Sequence, residues 1–285
     1  MGLKVGIIGC GLIGARRAGA VRDAGDDLVV ASDVVVDRAI ALAETLRADC
    51  TSDWADVVQR PDLDAVVVST SNDLTAEASI AALQSGKHVL CEKPMGRNGP
   101  EARAIAAAQE TSGLVLKVGF NHRFHPAIAA AEKMTSSGAI GEPYMMRAVY
   151  GHGGRAGYER EWRADAARSG GGELLDQGVH IVDLAQWFLG PIVDVQGAIE
   201  AFHWLTPVED NAFALMRTDA GRIASMHTSW TQWRNTFRFE VLGHDGFLRV
   251  DGLGGSYGTE RLTFAKRNED SSPPVEDLTE FPGPD

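Results

Sequence analysis

The stretch Gly9-Cys10-Gly11-Leu12-Ile13-Gly14 constrains the fold of this 285-residue chain more than any other. It follows a short apolar run, Lys4 to Ile8, and opens a plausible helix from Ala15 to Asp23. Alone, a G-x-G-x-x-G pattern is a weak signal. Between a strand and a helix it specifies a tight turn, close backbone approach and a pyrophosphate seated on the helix N-terminus. Gly9, Gly11, Leu12, Ile13 and Gly14 are therefore candidate dinucleotide-binding residues. A second apolar run, Leu28 to Ala31, leads to Asp33, nineteen residues past Gly14. An acid there accepts hydrogen bonds from the adenosine ribose and repels a 2′-phosphate, which favours NAD over NADP. Arg38 is the opposing cation, and its simplest role is a solvated place on the next helix.

The pattern repeats. Ala39 to Leu46, Thr75 to Ser85 and Pro100 to Thr111 read as helices; Ala65 to Ser69, His88 to Cys91 and Leu114 to Gly119 read as strands. This alternation predicts a doubly wound parallel sheet covered on both faces over residues 1–121. Ligands of such sheets bind beyond the carboxyl ends of the strands. That rule selects Ser69 to Asn72, Glu92-Lys93-Pro94 and Asn121-His122-Arg123. Lys93, between a buried strand and a proline, is held by stiff backbone near the expected cofactor edge.

Residues 122–285 read differently. His125 to Ser136 is one helix, followed by strands Tyr144–Tyr150, Pro191–Trp204, Asn211–Thr218, Arg222–Trp230, Thr236–Leu242 and Gly246–Val250. Several consecutive strands with one long helix predict an α+β domain, a sheet with helices on one side. A partner subunit is the usual cover for the other side, so a homodimer or homotetramer is expected. Gly151 to Ser169 is a polar insertion carrying Arg155, Arg160, Arg163 and Arg168 opposite Glu159, Glu161 and Asp165. Either some of these arginines, Arg163 among them, bind an anionic substrate, or they form local salt bridges on a lid. Trp162, Trp230 and Trp233 offer either a stacking face for a sugar ring or plain packing.

Most of the run from Ser169 to Gly190 reads as one helix, preceded by three glycines and stopped by Gly190-Pro191, with Leu175, Val179, Val182 and Leu189 on an apolar face. A second stripe is polar: Asp176, His180 and Asp183 at i, i+4 and i+7. Gly178 lies between them at a cost of about 1 kcal/mol relative to Ala, as though something approached the backbone there. The stripe is open to a divalent-metal reading or to acid–base work.

These motifs together, Gly9-x-Gly11-x-x-Gly14, Asp33, Gly86-Lys87-His88-Val89-Leu90-Cys91-Glu92-Lys93-Pro94 and Gly172-x-x-x-Asp176-x-x-x-His180, resemble the glucose–fructose oxidoreductase, inositol dehydrogenase and MocA family over about residues 3 to 250. The resemblance implies a Rossmann domain and a second domain with an open, mostly antiparallel sheet. It implies an NAD-dependent oxidoreductase acting on a hydroxyl or keto carbon of a sugar, cyclitol or sugar-nucleotide. Lys93 would contact substrate and support proton transfer; Asp176 and His180 would bind the reacting hydroxyl, with His180 as base. Asn72 would lie against the cofactor, and Ser69 and Glu92 would flank it. Asn121, Arg123 and Arg163 would join the substrate contacts, and the Lys93–Pro94 bond would be cis. Relatives often have His where Thr75 stands, and usually continue beyond Phe281 to Asp285 through another helix and strands. A non-catalytic NAD-bound sensor on the same fold is the alternative, but such proteins tend to lose the Lys or the His.

The net charge of −12 argues against a nucleic-acid partner. Short, interrupted apolar runs argue against a membrane span, and the N-terminus lacks signal-peptide layout. Cys10, Cys50 and Cys91 form no CxxC pair, which fits a cytoplasmic protein whose thiols are small buried residues.

Overall fold

The structure, a computed structural model, describes residues 2–283; Met1, Pro284 and Asp285, which belong to the terminal stretches read above, lie outside them. Two units emerge from the contacts. One is the chain through Gly119 together with Ala167–Gly170; the other is Phe120–Ala166 with Gly171 onward. The sequence had placed one boundary at residue 121, with no return of the chain.

In the first unit the order is β1 (Lys4–Ile8), α1 (Leu12–Asp23), β2 (Asp27–Ser32), α2 (Val36–Leu46), β3 (Asp49–Thr51), α3 (Trp54–Gln59), β4 (Ala65–Val68), α4 (Asn72–Gln84), β5 (His88–Cys91), α5 (Gly99–Ser112) and β6 (Leu116–Val118). All six strands are parallel, in the order β3-β2-β1-β4-β5-β6. Strand order reverses at β1/β4, the crevice where such sheets hold dinucleotides. Val66, Val67, Val68, Ile7 and Ile8 are buried because helices cover both faces. Helices α1, α2 and α4 begin about three residues before the sequence suggested, since backbone hydrogen bonding extends them past their apolar stretches. β3 and α3 are too short to produce a periodic signal.

The second unit contains α6 (Pro126–Ser136), β7 (Pro143–Gly151), α8 (Val179–Leu189), and strands β8 (Ile192–Glu200), β9 (Asn211–Thr218), β10 (Ile223–Ser229), β11 (Thr236–Gly243), β12 (Gly246–Asp251), β13 (Glu260–Lys266) and β14 (Asp277–Phe281); the short α7 (Ala166–Ser169) belongs from Ala167 on to the first unit. They form one sheet, β14-β13-β12-β11-β7-β10-β9-β8, antiparallel except at β7/β10. The β9–β10 hairpin docks beside β7 rather than β11, which makes that one pairing parallel. β13 and β14 lie beyond the expected strands; β14 is polar and mostly exposed, so its sequence carries no clean alternation.

One face of this sheet carries the core. Met146, Ala148 and Tyr150 of β7 alternate inward and join Phe237, Phe239 and Val241 of β11 beneath Ile128 of α6 and Ile181, Leu184 and Phe188 of α8. Burying each such side chain contributes about 1.5–3 kcal/mol, so this layer dominates the unit's stability. On the other face Arg147, Val149, Ser225, His227, Arg238 and Glu240 line an open groove of about 460 Å³. No helix among the described residues is long and apolar enough to cross a membrane.

Candidate active site

The Gly-rich turn has the geometry its motif requires. Gly9 adopts φ +95°, and a Cβ there would lie 2.4 Å from the Ser69 carbonyl oxygen. At Gly14 it would lie 1.9 Å from the Gly9 carbonyl oxygen, so helix and strand pack only if both are glycine. A Cβ at Gly11 would meet nothing within 4 Å, so this side of the loop is open. Leu12 and Ile13 are exposed beside it, and α1 has neither a side-chain cap nor an acid in its first turn. Its first N–H groups and positive dipole end therefore suit a pyrophosphate. Asp33 is buried and accepts from the backbone N–H of Cys10 (2.8 Å) and of Val35 (2.8 Å). It thus ties the loop to the end of β2 while each carboxylate oxygen keeps a second acceptor direction for a ribose hydroxyl. The Ser69 hydroxyl donates to the Gly9 carbonyl at 2.7 Å, closing the loop from the β4 side. These residues fit NAD.

Burial, with the Asp33 charge second, pushes the Cys10 thiol up to about 12, and burial pushes Cys91 to about 11. Both are inert packing residues; Cys50, expected to be buried, is exposed.

Lys93 follows β5 and is half-buried, and the Lys93–Pro94 bond is cis. Glu92, expected to flank the cofactor, ion-pairs with Arg17 of α1 and fills the space a side chain on Gly119 would need. That pairing fixes α1 to the end of β5. Asn72 is the first residue of α4, and its amide donates to the Ser169 carbonyl at 2.7 Å. One of its two amide N–H donors is thus used inside the unit. Arg97, unforeseen from sequence, donates to the Ala167 carbonyl at 2.7 Å and so holds the same segment.

The helix expected after the three glycines is not uniform: Gly170 takes φ +81°, Gly171 and Gly172 follow, and Leu174–Gly178 form a π-helical turn that runs into α8. Ile181, Leu184, Ala185, Phe188 and Leu189 are buried; of the expected apolar face Leu189 is among them, while Leu175, Val179 and Val182 are half-buried. π-turns of this kind occur often at functional sites. Glu209 starts the turn: its carboxylate accepts from the N–H groups of Gly172 (2.9 Å) and Leu174 (3.1 Å), and its carbonyl from Glu173 (3.1 Å). Nothing in its sequence context marked it. Gly178 has a different reason from the one expected. A Cβ there would meet Leu174 Cδ1 at 3.0 Å and Thr228 Oγ1 at 3.2 Å, so the glycine lets the helix approach β10 rather than admitting a ligand.

The polar stripe separates by partner. Asp176 faces Arg163 (3.3 Å), and Asp183 holds Arg123 in a two-pronged pair at 2.7 and 2.5 Å. Arg123, expected on substrate, thus braces the 3₁₀ turn Asn121–Phe124 against α8, and it also covers Trp187. Guanidinium groups stand against both carboxylates, which disfavours a divalent ion there; among the described residues no such metal cluster is found. His180 is buried, its ring stacked on His122 with centroids 3.8 Å apart and planes 28° apart. Tyr150 meets both rings edge-on. Burial, with Tyr257, Glu173 and Asp176 adding to it, holds the Tyr150 hydroxyl well above its ordinary value, so it stays protonated. Asn121 opens the 3₁₀ turn and is exposed.

Within the insertion, Arg155 forks onto Glu161 at 2.7 Å twice, Arg163 stacks over Trp162, and Arg168 approaches Asp73 at 3.7 Å. Local pairing accounts for these charges. Trp230 is fully buried with Tyr158 and Val208 and offers no sugar-stacking face; Trp233 is exposed.

A parallel six-stranded unit with an open Gly-rich helix start, followed by helices on one face of an eight-stranded sheet, defines a two-domain dinucleotide-binding protein. Residues 3–120 match the oxidoreductase family with NAD-binding Rossmann fold, and residues 128–249 match the GFO/IDH/MocA C-terminal domain. The chain belongs to the Gfo/Idh/MocA family, and its first unit is an NAD-binding Rossmann domain. It is similar to levoglucosan dehydrogenase of Pseudarthrobacter phenanthrenivorans, 32% identical over 231 residues, 77% of this chain and 59% of that one. It is 34% identical to 1,5-anhydro-D-fructose reductase of Ensifer adhaerens over 84% of this chain and 74% of that one. Among solved structures, levoglucosan dehydrogenase in complex with NADH superposes with TM-score 0.87 at 26% identity, over 99% of this chain and 80% of that one. The aligned part of this chain thus spans less than two thirds of the levoglucosan dehydrogenase sequence it matches.

Proposed function

We propose that the protein is an NAD-dependent oxidoreductase that interconverts a ring hydroxyl and a ketone on a sugar, cyclitol or sugar-nucleotide. The observation that carries this is His180, a buried imidazole one π-widened turn after Asp176, in a chain that also keeps Lys93 after β5. NAD, when bound, would supply the acceptor for the carbinol hydrogen, taken as hydride. The chain must handle the other half, the O–H proton and the charge left on oxygen. His180 takes the proton, since an ordinary imidazole titrates near neutral pH. Lys93, as ammonium, stabilises the developing alkoxide. Asp176, oriented by Arg163, accepts from a substrate hydroxyl and fixes which carbon reacts. A catalyst fits these residues better than a non-catalytic NAD sensor, which has no use for both a base and a cation.

The substrate is uncharged at the reacting ring. The insertion's arginines are engaged with Glu161, Asp176 and Asp73, and the similar enzymes named above act on levoglucosan and 1,5-anhydro-D-fructose. The free thiols support a cytoplasmic setting. A second copy of the chain covers the outer sheet face, where Phe213 and Leu215 are exposed beside the Arg147–Glu240 pair, giving a homodimer or a homotetramer.

The test is Lys93→Ala and His180→Ala assayed against cyclitols, anhydrosugars, free sugars and nucleotide-sugars, with NAD and NADP in parallel. Each variant should lose about a hundredfold or more in turnover while NAD affinity changes little. Full turnover by both variants overturns the roles; preference for NADP overturns the role given to Asp33.

A further inference from the structure

We infer that His122 is a positioning residue for His180, its stacked imidazole holding the base's ring plane and keeping the base unprotonated below the pH at which a lone imidazole would charge. The inference rests on His180 being the base. The two rings are 3.8 Å apart at 28°, and both residues are almost fully buried. Face-to-face imidazoles at that separation cannot both carry charge, because like charges this close in a buried setting repel strongly. Proton uptake by one ring therefore opposes uptake by the other, and the pair takes up at most one extra proton until the pH falls well below the ordinary imidazole range.

Where that proton goes is decided by the groups around the pair. His122 is followed by His125, whose ring lies 5.5 Å away and whose Nδ1 hydrogen-bonds Glu260 at 2.7 Å. Glu260 is buried on β13 and also accepts from the Ala127 N–H. Three imidazoles thus run from His180 to a buried carboxylate. Glu260 stands at the His122 side of this row, so an extra proton on the stacked pair is better placed on His122 than on His180. The other charges near His180 are already matched: Asp183 holds Arg123, and Asp176 faces Arg163. Phe120 and Tyr150 each meet the His180 ring in a T-shaped contact, and Tyr150 stays protonated beside Glu173 and Tyr257. Above the pH at which His122 charges, its neutral face beneath His180 stabilises the cation formed when His180 takes a substrate proton.

The experiment compares pH profiles of kcat/KM for wild type, His122→Phe and His180→Gln. His122→Phe keeps a ring under His180 but cannot hold a proton. Its acid limb should move to higher pH by about one unit or more, with the plateau above pH 8 changed by no more than a few-fold. Side-chain NMR titration of His180 in the NAD-bound protein should show the same upward move without relying on turnover, and it serves if the variant is impaired. An unchanged acid limb together with an unchanged His180 titration overturns the inference. Activity retained by His180→Gln sinks instead the assignment of His180 as base, so the two failures are distinguishable.

Discussion

Replacing Glu209 with alanine tests whether the π-turn before His180 is held by a carboxylate supplied from a remote loop. Its two oxygens accept from Gly172 and Leu174, at 2.9 and 3.1 Å, at the positive end of the π-turn and α8. Hydrogen bonds to a charged group contribute about 1.5–3 kcal/mol each. Glu209 is half-exposed, so water replaces part of that, and about 1 kcal/mol per bond is the fair figure. Favourable interaction with the helix dipole adds about 0.5 kcal/mol. The variant should therefore lose about 2–3 kcal/mol of stability in the second unit. Glu209→Gln, which keeps one acceptor without the charge, should lose about half of that. Urea unfolding followed by tryptophan emission reports the right unit, because Trp162, Trp187, Trp204, Trp230 and Trp233 all lie there and only Trp54 lies in the first. Turnover should fall about tenfold or more, since small misplacements of catalytic groups are costly, while NAD affinity stays within twofold. An unfolding midpoint equal to wild type, or a loss of NAD affinity, would refute the reasoning.

Gly14→Ala places a methyl 1.9 Å from the Gly9 carbonyl, so calorimetric titration should show NAD binding abolished, or weakened at least a hundredfold, with the second unit's unfolding unchanged. Gly172→Ala puts Cβ 1.9 Å from the Glu209 carbonyl and should reproduce the Glu209→Ala phenotype, with NAD binding retained. Burial alone would push the Asp210 carboxyl up, but hydrogen bonds from Phe202, Asn211, Trp204 and His203 hold it below its ordinary value. Its contribution is therefore present above about pH 4 and lost as pH falls through the lower folded value. Asp210→Asn should then cost stability at pH 7 and converge with wild type below about pH 3 in acid-unfolding curves. Prolonged chelation should leave turnover intact; loss restored by added metal would revive a metal role for the Asp176, His180 and Asp183 stripe.

Much of the first unit was legible because its determinants are local. A buried parallel strand needs an unbroken apolar run, and a phosphate-binding turn needs glycine at Gly9 and Gly14 whatever surrounds it. Asp33, Lys93, Asp176 and His180 could be named from spacing and resemblance for the same reason. The helix around His180 was harder. Its pattern read as α-helix throughout, yet Leu174–Gly178 form a π-turn, and in α8 Ile181, Leu184 and Phe188 rather than Val179 and Val182 are buried. No local preference encodes a π-turn; packing of Gly178 against β10 and capping by Glu209 do so together. Likewise Arg123 and Glu92 carried the right chemistry for ligands and were claimed by Asp183 and Arg17 instead. A charged side chain takes whichever counter-ion the fold brings closest, and residues 60 or 75 positions away leave no trace in its neighbourhood.

By itself, then, the sequence determined the Rossmann unit, its preference for a diphosphate at α1 and the residue types available for proton transfer. All of these follow from backbone sterics and side-chain chemistry acting over a few residues. The tertiary structure alone decided which partner each of those residues meets. It set His180 on His122, Asp183 on Arg123 and Glu209 under the π-turn before α8, since contacts of that kind exist only once distant segments are packed at van der Waals range.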